Sequence, residues 1–509
     1  MQSSSFLRPL FWLFALSLSL SHPLFAQNHP KHEFRGVWVA SVVNIDWPSQ
    51  KNLSVEQQKA EFRRLAQSHR SRGLNALVVQ IRPAADAFYA SPYEPWSEWL
   101  TGTQGKAPNP YYDPLEFMIA ETHALGMEFH AWINPYRAVQ NTGVQKIAAS
   151  HISVKKPDWI VPYGIKKVLN PGIPEVRAYI VKVVMDIVRR YDVDGIHFDD
   201  YFYPYPEPNR RFNDDAAFKR YGSGFANRDE WRRDNINQFI KTLSDSINAT
   251  KPWVSFGISP FGVWRNKSKD PLGSDTRAFI GTYDDLYADV LLWMKEGWID
   301  YVAPQLYWDT EFAIASYNTL LPWWAQHSYG RHLYIGQAAY RVDSNNGGWK
   351  NMDQLLIQKK MNREIPQVRG SIFYSSKSMM SNVKGVPERL SKTYYPGVAL
   401  VPPLTWRKLD VKPVNIQNLR STRSLSNVVL SWEKPIQSVK NRTRFYAIYR
   451  FTDRDVITHQ SGRHLIALVP STATQFTDTI VLKENTSYLV TSVGLDRQES
   501  EGVSIFIGP

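Results

Sequence analysis

The stretch DGIHFDDY (Asp194–Tyr201) shows the pattern from which the fold of this 509-residue chain can be predicted. Its apolar residues Ile196 and Phe198 alternate with other residue types, and this period of two is typical of a β-strand. The run ends in two adjacent aspartates, Asp199 and Asp200. Because carboxylates are costly to bury without partners, this pair is either a structural anchor or a reactive site.

Seven more apolar runs of similar length occur between Phe34 and about Ser391, and amphipathic helical patterns separate them. One helix is predicted to begin after Ser54, a capping residue type with Gln57 three residues later, and another near Asp234. Eight such units in roughly 360 residues predict a (β/α)8 barrel of the TIM type. A doubly wound open sheet is the alternative, but no glycine-rich phosphate loop follows the first run. The eight runs are RGVWVASV, LNALVVQIRP, MEFHAWINPYR, DGIHFDDY, VSFGISPFG, DYVAPQLYW, HLYIGQAAY and VRGSIFYSS.

The pattern changes after the predicted barrel, which we place at residues 33–395. Residues 396–411 are predicted to form a linker, and residues 412–509 contain short alternating strands that predict a small all-β sandwich. The sandwich resembles an immunoglobulin-like, fibronectin type III module. Such modules usually bind or space, so we expect this one to place no polar residue in the barrel lumen and to be dispensable for chemistry. The aromatic residues at its expected core positions are Trp432, Tyr446, Tyr449 and Tyr488.

Residues 1–26 are predicted to form a secretory signal peptide. Arg8 precedes the apolar run Leu10–Leu20, and Ala26 ends a small-residue cleavage site. That run is too short to span a bilayer comfortably, and no later stretch is long and apolar enough, so no transmembrane segment is expected. The chain has no cysteine, which argues against disulfides and against a lipid anchor on an N-terminal cysteine. We therefore expect a periplasmic or extracellular protein.

The formal net charge of +13 predicts anionic surroundings for the protein. The basic residues are scattered, and an exported protein rarely meets nucleic acid, so no nucleic-acid partner is expected. A cell-envelope glycan that carries carboxylates fits the charge better. Aromatic residues make up 13% of the chain, and flat aromatic faces commonly hold sugar rings, although a large barrel also buries many of them.

Strand alternation predicts which side chains face the barrel lumen. In the fourth run, His197 and Asp199 point inward if Ile196 and Phe198 pack outward against helices. Polar side chains that converge near the carboxyl ends of several barrel strands indicate a functional site. The same rule assigns to the lumen Gln80, Arg82, His130, Trp132, Asn134, Gln305 and Tyr307.

The two aspartates are expected to differ in role. Asp199 is predicted to act as a nucleophile, a base or an electrostatic stabiliser, kept ionised by cationic neighbours. Asp200 should point away from the lumen unless the strand ends there, and it is then expected to cap a loop or to orient Tyr201 or Arg137. The expected cationic neighbours of Asp199 are Arg82, His130 and His197.

Hydrolysis of a glycosidic bond requires a second carboxyl group besides that of Asp199. This group lies about 5–5.5 Å away in retaining enzymes and about 6.5–9.5 Å away in inverting enzymes. Asp309, Asp86 and Asp46 each follow a strand end, and each is either this acid or a residue of a loop turn. Asp309 leads slightly, because the adjacent residues Tyr307 and Trp308 are aromatic and can surround a general acid with an apolar wall.

Six sequence blocks resemble the family-10-like glycosyl hydrolases, also called the glycosyl-hydrolase-like ten domain, over about residues 33–395. The resemblance implies a (β/α)8 glycosidase, and envelope members of this family act on peptidoglycan glycan strands, particularly those without stem peptides. The block DGIHFD also looks like the fourth-strand motif of amylase-type glycosidases, in which the last aspartate, here Asp199, is the nucleophile. Those enzymes have a glutamate after the fifth strand, whereas SFGISPFGVWRN contains no acid, so the second acid stays open. The six blocks are RGVWVASVVNIDWP, QIRPAADAFY, HAWINPYR, DGIHFDDYFYP, SPFGVWRN and APQLYW.

Three functions compete for this sequence. The first is an exported glycoside hydrolase of a cell-envelope polysaccharide, most suitably peptidoglycan, or of a dietary or host polysaccharide. The second is a non-catalytic glycan-binding envelope protein. The third, a metal-dependent hydrolase that uses His130, His197, Asp199 and Asp200, is disfavoured because no His-x-His or His-Glu-x-x-His pair occurs, and we expect no metal and no cofactor. The candidate catalytic residues are Asp199, Asp200, Asp309 and Asp86, and the candidate substrate-binding residues are Arg82, His130, Asn134, Tyr136, Arg137, His197, Tyr201, Trp264, Gln305, Tyr307 and Trp308.

Overall fold

The computed structural model describes residues 29–407, 412–438 and 441–508. The predicted signal peptide lies outside these ranges. Among the helices within them, none is long and apolar enough to cross a membrane. The described residues form a closed parallel barrel and three antiparallel sheets, one in a barrel loop and two in the C-terminal region.

Eight strands close the barrel in the order in which they occur in the chain, and the first strand pairs with the last. All the pairings recorded between neighbouring barrel strands are parallel. This topology confirms the (β/α)8 barrel that the eight apolar runs predict. The strands are β1 (Phe34–Val39), β2 (Ala76–Arg82), β3 (Glu128–Ile133), β4 (Gly195–Phe198), β5 (Ser255–Ile258), β6 (Tyr301–Val302), β7 (His332–Gln337) and β8 (Val368–Phe373).

A main helix follows each barrel strand. These helices are α1 (Val55–Ser71), α2 (Pro114–Ala124), α3 (Pro174–Arg190), α4 (Arg228–Thr250), α5 (Val290–Lys295), α6 (Tyr317–Gln326), α7 (Gln354–Glu364) and α8 (Val386–Tyr394). Helix α1 has the predicted cap, because Ser54 Oγ accepts a hydrogen bond from the Gln57 backbone N–H at 3.2 Å. Helix α4 begins before the predicted Asp234, because Asn227 caps it by accepting from the Glu230 backbone N–H at 2.9 Å.

The larger core lies between the strands and the helices. Phe198 of β4 stacks on Phe239 of α4 with ring centroids 5.8 Å apart, and it meets Phe256 of β5 edge-on at 5.2 Å. Ile196 is buried in the same core. Both outward-facing residues of the opening stretch are therefore placed as predicted, and burial of each contributes about 1.5–3 kcal/mol to folding.

A second, smaller core fills the lumen. Phe34 and Tyr334 stack there with ring centroids 4.2 Å apart. Two glycines leave room for lumen side chains: a Cβ on Gly257 would lie 1.9 Å from the Tyr301 ring, and one on Gly195 would lie 2.5 Å from His130 Nδ1. The lumen is thus packed with side chains, as in other barrels of this type.

The C-terminal region forms two antiparallel sheets, one of three strands and one of four, which fit the predicted sandwich. Its strands are β9 (Gln417–Arg423), β10 (Val428–Glu433), β11 (Thr443–Thr452), β12 (Leu465–Pro470), β13 (Gln475–Asp478), β14 (Thr486–Gly494) and β15 (Val503–Ile507). Trp432, Tyr446 and Tyr488 lie in one core cluster, as expected. Tyr449 is buried in a different cluster with Phe445, because alternation along β11 turns it to the opposite face of the sheet.

The sandwich docks at the amino ends of the barrel strands. Arg444 of β11 contacts Asp192 at 2.6 Å and Asp194 at 3.1 Å, just before β4 begins. Arg497, in the loop between β14 and β15, contacts Glu128 at the start of β3 at 2.6 Å. The prediction that the module places no polar residue in the lumen is therefore wrong. The loop between β14 and β15 places the buried Arg497 at the amino ends of the barrel strands, which form the floor of the barrel.

Candidate active site

A cavity of about 310 Å³ opens at the carboxyl ends of the barrel strands. Barrel enzymes hold their reacting groups at this end, because the loops after the strands can vary without disturbing the barrel. The cavity brings together six of the predicted site residues: Asp199, Asp200, Arg137, Tyr201, Gln305 and Tyr307. The other lining residues are Trp38, Val42, Ile45, Gln80, Trp132, Gln140, Ser259 and Tyr374.

Both aspartates of the opening stretch line this cavity, and they are only 4% and 3% exposed. Strand β4 ends at Phe198, so the alternation of side chains stops before Asp199. Asp200 therefore does not turn away from the lumen. The sequence predicted that Asp200 points away from the lumen unless the strand ends there, and the structure shows that the strand ends before Asp200.

Asp199 is held by neutral donors from β3 and the loop after it. Trp132 Nε1–H donates to Oδ2 at 3.0 Å, and Asn134 Nδ2–H lies 3.2 Å from both carboxylate oxygens. Burial raises the pKa of Asp199, while Arg137 and the two neutral donors act in the opposite direction. The predicted cationic neighbours do not contact Asp199; the charge of Arg137 acts on the pKa of Asp199 instead, without an ion pair between the two side chains among the described residues.

Asp200 has a different environment from that of Asp199. The Tyr205 hydroxyl donates a hydrogen bond to Asp200 Oδ2. Burial, and then the neighbouring charge of Asp199, raise the pKa of Asp200 to about 7. Asp200 can therefore hold or release a proton near neutral pH, as a general acid must.

Arg137 forms one wall of the cavity with its guanidinium group 4.6 Å from the centre of the Tyr201 ring. A small antiparallel sheet in the loop after β3 carries Arg137 on its first strand (Arg137–Val139). In the part of the chain that the structure describes, no carboxylate oxygen lies within ion-pair distance of Arg137. The cavity thus offers an anionic ligand a cation together with an aromatic face.

Several residues of the site were not among the sequence candidates. They are Tyr205, which contacts Asp200, and the cavity residues Trp38, Val42, Ile45, Gln140, Ser259 and Tyr374. Alternation in β1 places Trp38 on the same face as Phe34, so the rule used for the other strands would have found it. Ser259 Oγ is buried at the cavity and has no hydrogen-bond partner within the described residues. Tyr205 and Tyr374 lie in loops, where no local pattern predicts the direction of a side chain.

Arg82 and Asp86 lie outside the cavity. The pairing of β2 with β3 shifts register between Gln80 and Arg82, so alternation fails at that point. Arg82 instead forms a fully buried ion pair with Glu94 at 2.5 Å. Asp86 accepts a hydrogen bond from Gln104 at 3.2 Å, and burial raises its pKa to about 7.

His130 and His197 face the lumen as predicted but lie among its packed side chains rather than in the cavity lining. Each places Nδ1 3.0 Å from the hydroxyl oxygen of Tyr301. Burial lowers the pKa of His197 well below its usual value, so this ring is neutral. Among the described residues, no group of three or more potential ligands is arranged to hold a metal ion.

The remaining candidates outside the cavity have structural contacts. Asp309 Oδ1 accepts from the Glu311 backbone N–H at 2.9 Å, which is the loop-turn role that the sequence left open. Trp308 packs edge-on against Phe261 at 5.3 Å. Tyr136 packs on Phe239 and Trp264 stacks on Trp323, while Asn134 acts through Asp199.

Comparison with known proteins shows the family to which this chain belongs. A family model described as glycosyl hydrolase-like 10 matches residues 33–353. The glycosyl hydrolase YngK of Bacillus subtilis (strain 168) is 46% identical over 437 residues, which cover 85% of each chain. The glycosyl hydrolase DigH of Escherichia coli (strain K12) is 40% identical over 382 residues, covering 70% of this chain and 85% of DigH.

Among solved structures, the glycoside hydrolase domain of PgaB (BpsB) from Bordetella bronchiseptica covers 71% of this chain and 99% of that domain, with 13% identity and a TM-score of 0.43. A parallel barrel with paired carboxyls at its carboxyl end is an architecture that glycoside hydrolases use. The family model matches residues 33–353, which are more than half of the chain, and this match is more specific than the architecture. The chain belongs to the glycosyl hydrolase-like 10 family, as the six sequence blocks predict.

Proposed function

We propose that this protein is an exported glycoside hydrolase that cleaves glycosidic bonds in a cell-envelope polysaccharide, with the glycan strands of peptidoglycan as the favoured substrate. The observation that supports this proposal most directly is that Asp199 and Asp200 are buried in one cavity and have different hydrogen-bond partners. Two carboxyl groups in unlike environments can divide the acid and base roles that glycosidases need.

Asp200 is the proposed general acid. Its pKa of about 7 keeps much of it protonated at neutral pH, and the Tyr205 hydroxyl occupies one of its two oxygens. The proton would pass to the leaving oxygen as the bond between that oxygen and the anomeric carbon breaks. Asp199, fixed by Trp132 and Asn134, would attack the anomeric carbon or activate a water that does so.

The charges of the protein support an acidic glycan as substrate. Arg137 lines the cavity without a carboxylate partner among the described residues, and the whole chain has a net charge of +13. The muramic acids of peptidoglycan carry carboxylates that fit this cation. The names of the two relatives specify a glycosyl hydrolase and no substrate, so a dietary or host acidic polysaccharide is the other substrate to compare.

Hydrolysis is tested by measuring reducing ends released from purified peptide-free peptidoglycan strands, with a mass spectrum of the products. Asp199→Asn and Asp200→Asn are the matched controls, and an excess of chelator tests for a required metal ion. We expect release by the wild type that the chelator does not lower. Binding of the strands without any release would contradict the proposal and support a glycan-binding envelope protein.

Export is a separate part of the proposal, supported by the charged residue, apolar run and cleavage site in residues 1–26. We expect cleavage after Ala26, so that the mature protein begins at Gln27. Mass spectrometry of the protein recovered from envelope and culture fractions would measure this start. A full-length chain found only in the cytoplasm would contradict export without affecting the proposed chemistry.

A further inference from the structure

A continuous row of hydrogen bonds runs through the lumen from the cavity to the barrel floor. Trp38 Nε1 lies 3.0 Å from His197 Nε2, and His197 Nδ1 lies 3.0 Å from the Tyr301 hydroxyl. The same hydroxyl lies 3.0 Å from His130 Nδ1, and His130 Nε2 lies 3.0 Å from a Glu128 oxygen. We call this row the lumen chain; its members are Trp38, His197, Tyr301, His130 and Glu128.

Arg497 of the sandwich meets the lower end of the lumen chain. Its Nε–H donates to Glu128 Oε1 at 2.6 Å, and its second terminal nitrogen donates to Glu128 Oε2 at 2.9 Å. That nitrogen also donates to Ser255 Oγ at 3.1 Å. Burial alone would raise the pKa of Glu128, but Arg497 and the His130 hydrogen bond bring it below its usual value. Glu128 is therefore ionised and can only accept hydrogen bonds.

The two ends of the lumen chain fix its direction. The indole N–H of Trp38 can only donate, so His197 Nε2 accepts and the proton of this neutral ring is on Nδ1. His197 Nδ1–H then donates to Tyr301, whose O–H donates to His130 Nδ1. Because His130 Nδ1 accepts this hydrogen bond, His130 Nε2–H is the donor to Glu128. This assignment gives every polar hydrogen in the chain a partner.

We propose that Arg497 is a positioning residue for the active site: it keeps Glu128 an acceptor, which sets the tautomers of both histidines and thereby holds Trp38 in the cavity wall. The sandwich would then complete the barrel rather than only extend it. This inference builds on the proposed function for its effect on hydrolysis, while its effect on the tautomers is independent of any substrate.

Loss of the arginine has a specific expected consequence. Without Arg497, Glu128 would be buried without a full counter-charge and would take up a proton. A protonated Glu128 donates to His130, which moves the His130 proton to Nδ1 and reverses each bond up to His197. His197 would then present Nε2–H to the indole N–H of Trp38. Two donors cannot share one hydrogen bond, so the Trp38 ring would move or lose its partner.

The experiment compares three full-length variants with the wild type. Arg497→Met removes the donor, and Arg497→Lys retains the charge. Arg444→Met is the matched control, because Arg444 docks the same module on Asp192 and Asp194 without contacting the lumen chain. Nitrogen-15 NMR of labelled histidines reports the tautomers of His130 and His197, and a kinetic assay reports kcat.

We expect the wild type, Arg497→Lys and Arg444→Met to have His197 protonated on Nδ1 and His130 on Nε2. Arg497→Met should exchange both tautomers and lower kcat about 10- to 100-fold, the order expected when a site group is displaced by about an ångström. The inference is overturned if Arg497→Met retains the wild-type tautomers, or if Arg444→Met lowers kcat by the same factor.

Tyr301→Phe tests the inference if Arg497→Met does not fold. This change interrupts the lumen chain in the middle and leaves the contact between Arg497 and Glu128 in place. We expect kcat to fall by a similar factor with the sandwich still docked, and an unchanged kcat would overturn the inference. If the wild type hydrolyses no glycan, the proposed function fails, but the tautomers of wild type and Arg497→Lys still decide whether the lumen chain has the assigned direction.

Discussion

At the carboxyl ends of the barrel strands, Asp199 and Asp200 are buried among aromatic rings and neutral donors, whereas at the amino ends Glu128 and Asp194 each contact a sandwich arginine. Burial raises the pKa of both aspartates at the first end. At the second end, burial also acts to raise the pKa, but the arginines together with hydrogen bonds from His130 to Glu128 and from His123 to Asp194 outweigh burial and lower the pKa of both carboxyl groups. The same barrel thus shifts the pKa of its buried acids upward at one end and downward at the other.

The difference separates groups that can exchange protons from groups that hold the structure together. A carboxyl with a pKa near 7 can act as an acid or a base at neutral pH, whereas a carboxylate paired with arginine remains charged and ties two domains together. A raised pKa alone does not identify the active site. Asp46 and Asp86 also have raised pKa values because of burial, yet neither lines the cavity.

The largest effect is expected when the sandwich is removed. A chain that ends at Arg407 loses the arginine partners of Glu128 and Asp194, and it exposes apolar residues such as Leu400, which packs in one cluster with Phe445 of the sandwich. Because this apolar burial is lost and the uncovered surface favours aggregation, we expect a much lower melting temperature and little soluble protein. Circular dichroism of the shortened and full-length chains measures this. A melting transition of the shortened chain at the temperature of the full-length chain would show that the barrel folds without the sandwich and its arginines. That result would agree with the prediction from the sequence that the sandwich is dispensable.

The second prediction concerns the opposite end of the barrel. Asp199→Asn and Asp200→Asn should each lower kcat about 10²- to 10⁴-fold, because general acid and base groups contribute that much. Their melting temperatures should stay equal or rise, since each change removes a buried carboxyl group that forms no ion pair within the described part of the chain. Asp194→Asn is the contrasting control, expected to melt earlier and to retain kcat. A lower melting temperature in Asp199→Asn and Asp200→Asn, with an unchanged one in Asp194→Asn, would contradict the proposed difference between the two ends of the barrel.

Azide distinguishes the two roles open to Asp199. If Asp199 is a nucleophile, Asp199→Ala with added azide should recover part of the rate and release a glycosyl azide of inverted configuration. If Asp199 activates water, no covalent intermediate should be trapped on the wild-type enzyme. Product analysis by mass spectrometry and NMR separates these outcomes.

The next prediction tests whether Arg137, which forms no ion pair among the described residues, recognises an anionic substrate. Arg137→Gln should lower kcat/KM for a carboxylated glycan about 10- to 100-fold, the range of a charged hydrogen bond. The loss should be clearly smaller for the same glycan after chemical reduction of its carboxyl groups. Equal losses on both glycans would mean that Arg137 acts only through the charge of Asp199.

The pH dependence of stability should also differ between groups at the carboxyl ends and groups at the amino ends of the barrel strands. Activity that needs protonated Asp200 should fall above about pH 7, approaching a tenfold loss per pH unit. Because the folded-state pKa of Asp200 is raised, its contribution to stability is present at low pH and is lost as pH rises through about 7. Glu128 and Asp194 have lowered pKa values, so their contribution is lost at acidic pH instead. Melting curves of wild type and Asp200→Asn from pH 5 to 9 test the sign, and an unchanged alkaline decline in the variant would contradict it.

The smallest effect is expected for two aromatic rings near the mouth. Tyr201 lines the cavity beneath Arg137, so Tyr201→Ala should raise KM about two- to fivefold through the lost ring contact. Trp308 packs against Phe261 outside the cavity lining, so Trp308→Ala should lower the melting temperature and leave KM nearly unchanged. A larger KM change in Trp308→Ala would extend the site beyond the described cavity.

The fold was predictable because its signals are local and repeated. Each apolar run specifies a strand by its period of two, and eight runs separated by helical patterns allow few other closed arrangements. The same alternation predicted the inward direction of His197, which lies within β4, whereas Asp199 lines the cavity from just beyond the end of the strand. Arg82 was misplaced because a register shift interrupts the alternation of β2, and such a shift depends on how β3 pairs with it.

By itself, the sequence determined the barrel, its family and the all-β region that follows it, because periodicity and ordered motifs are properties of neighbouring residues. The catalytic role of Asp199 stays a prediction. Only the tertiary structure decided that β4 ends at Phe198, so that Asp200 joins Asp199 in the cavity. It also decided that Arg497 meets Glu128, two residues 369 positions apart in the chain. The pKa of a buried acid depends on which charges pack around it, and that packing is set by contacts between distant segments.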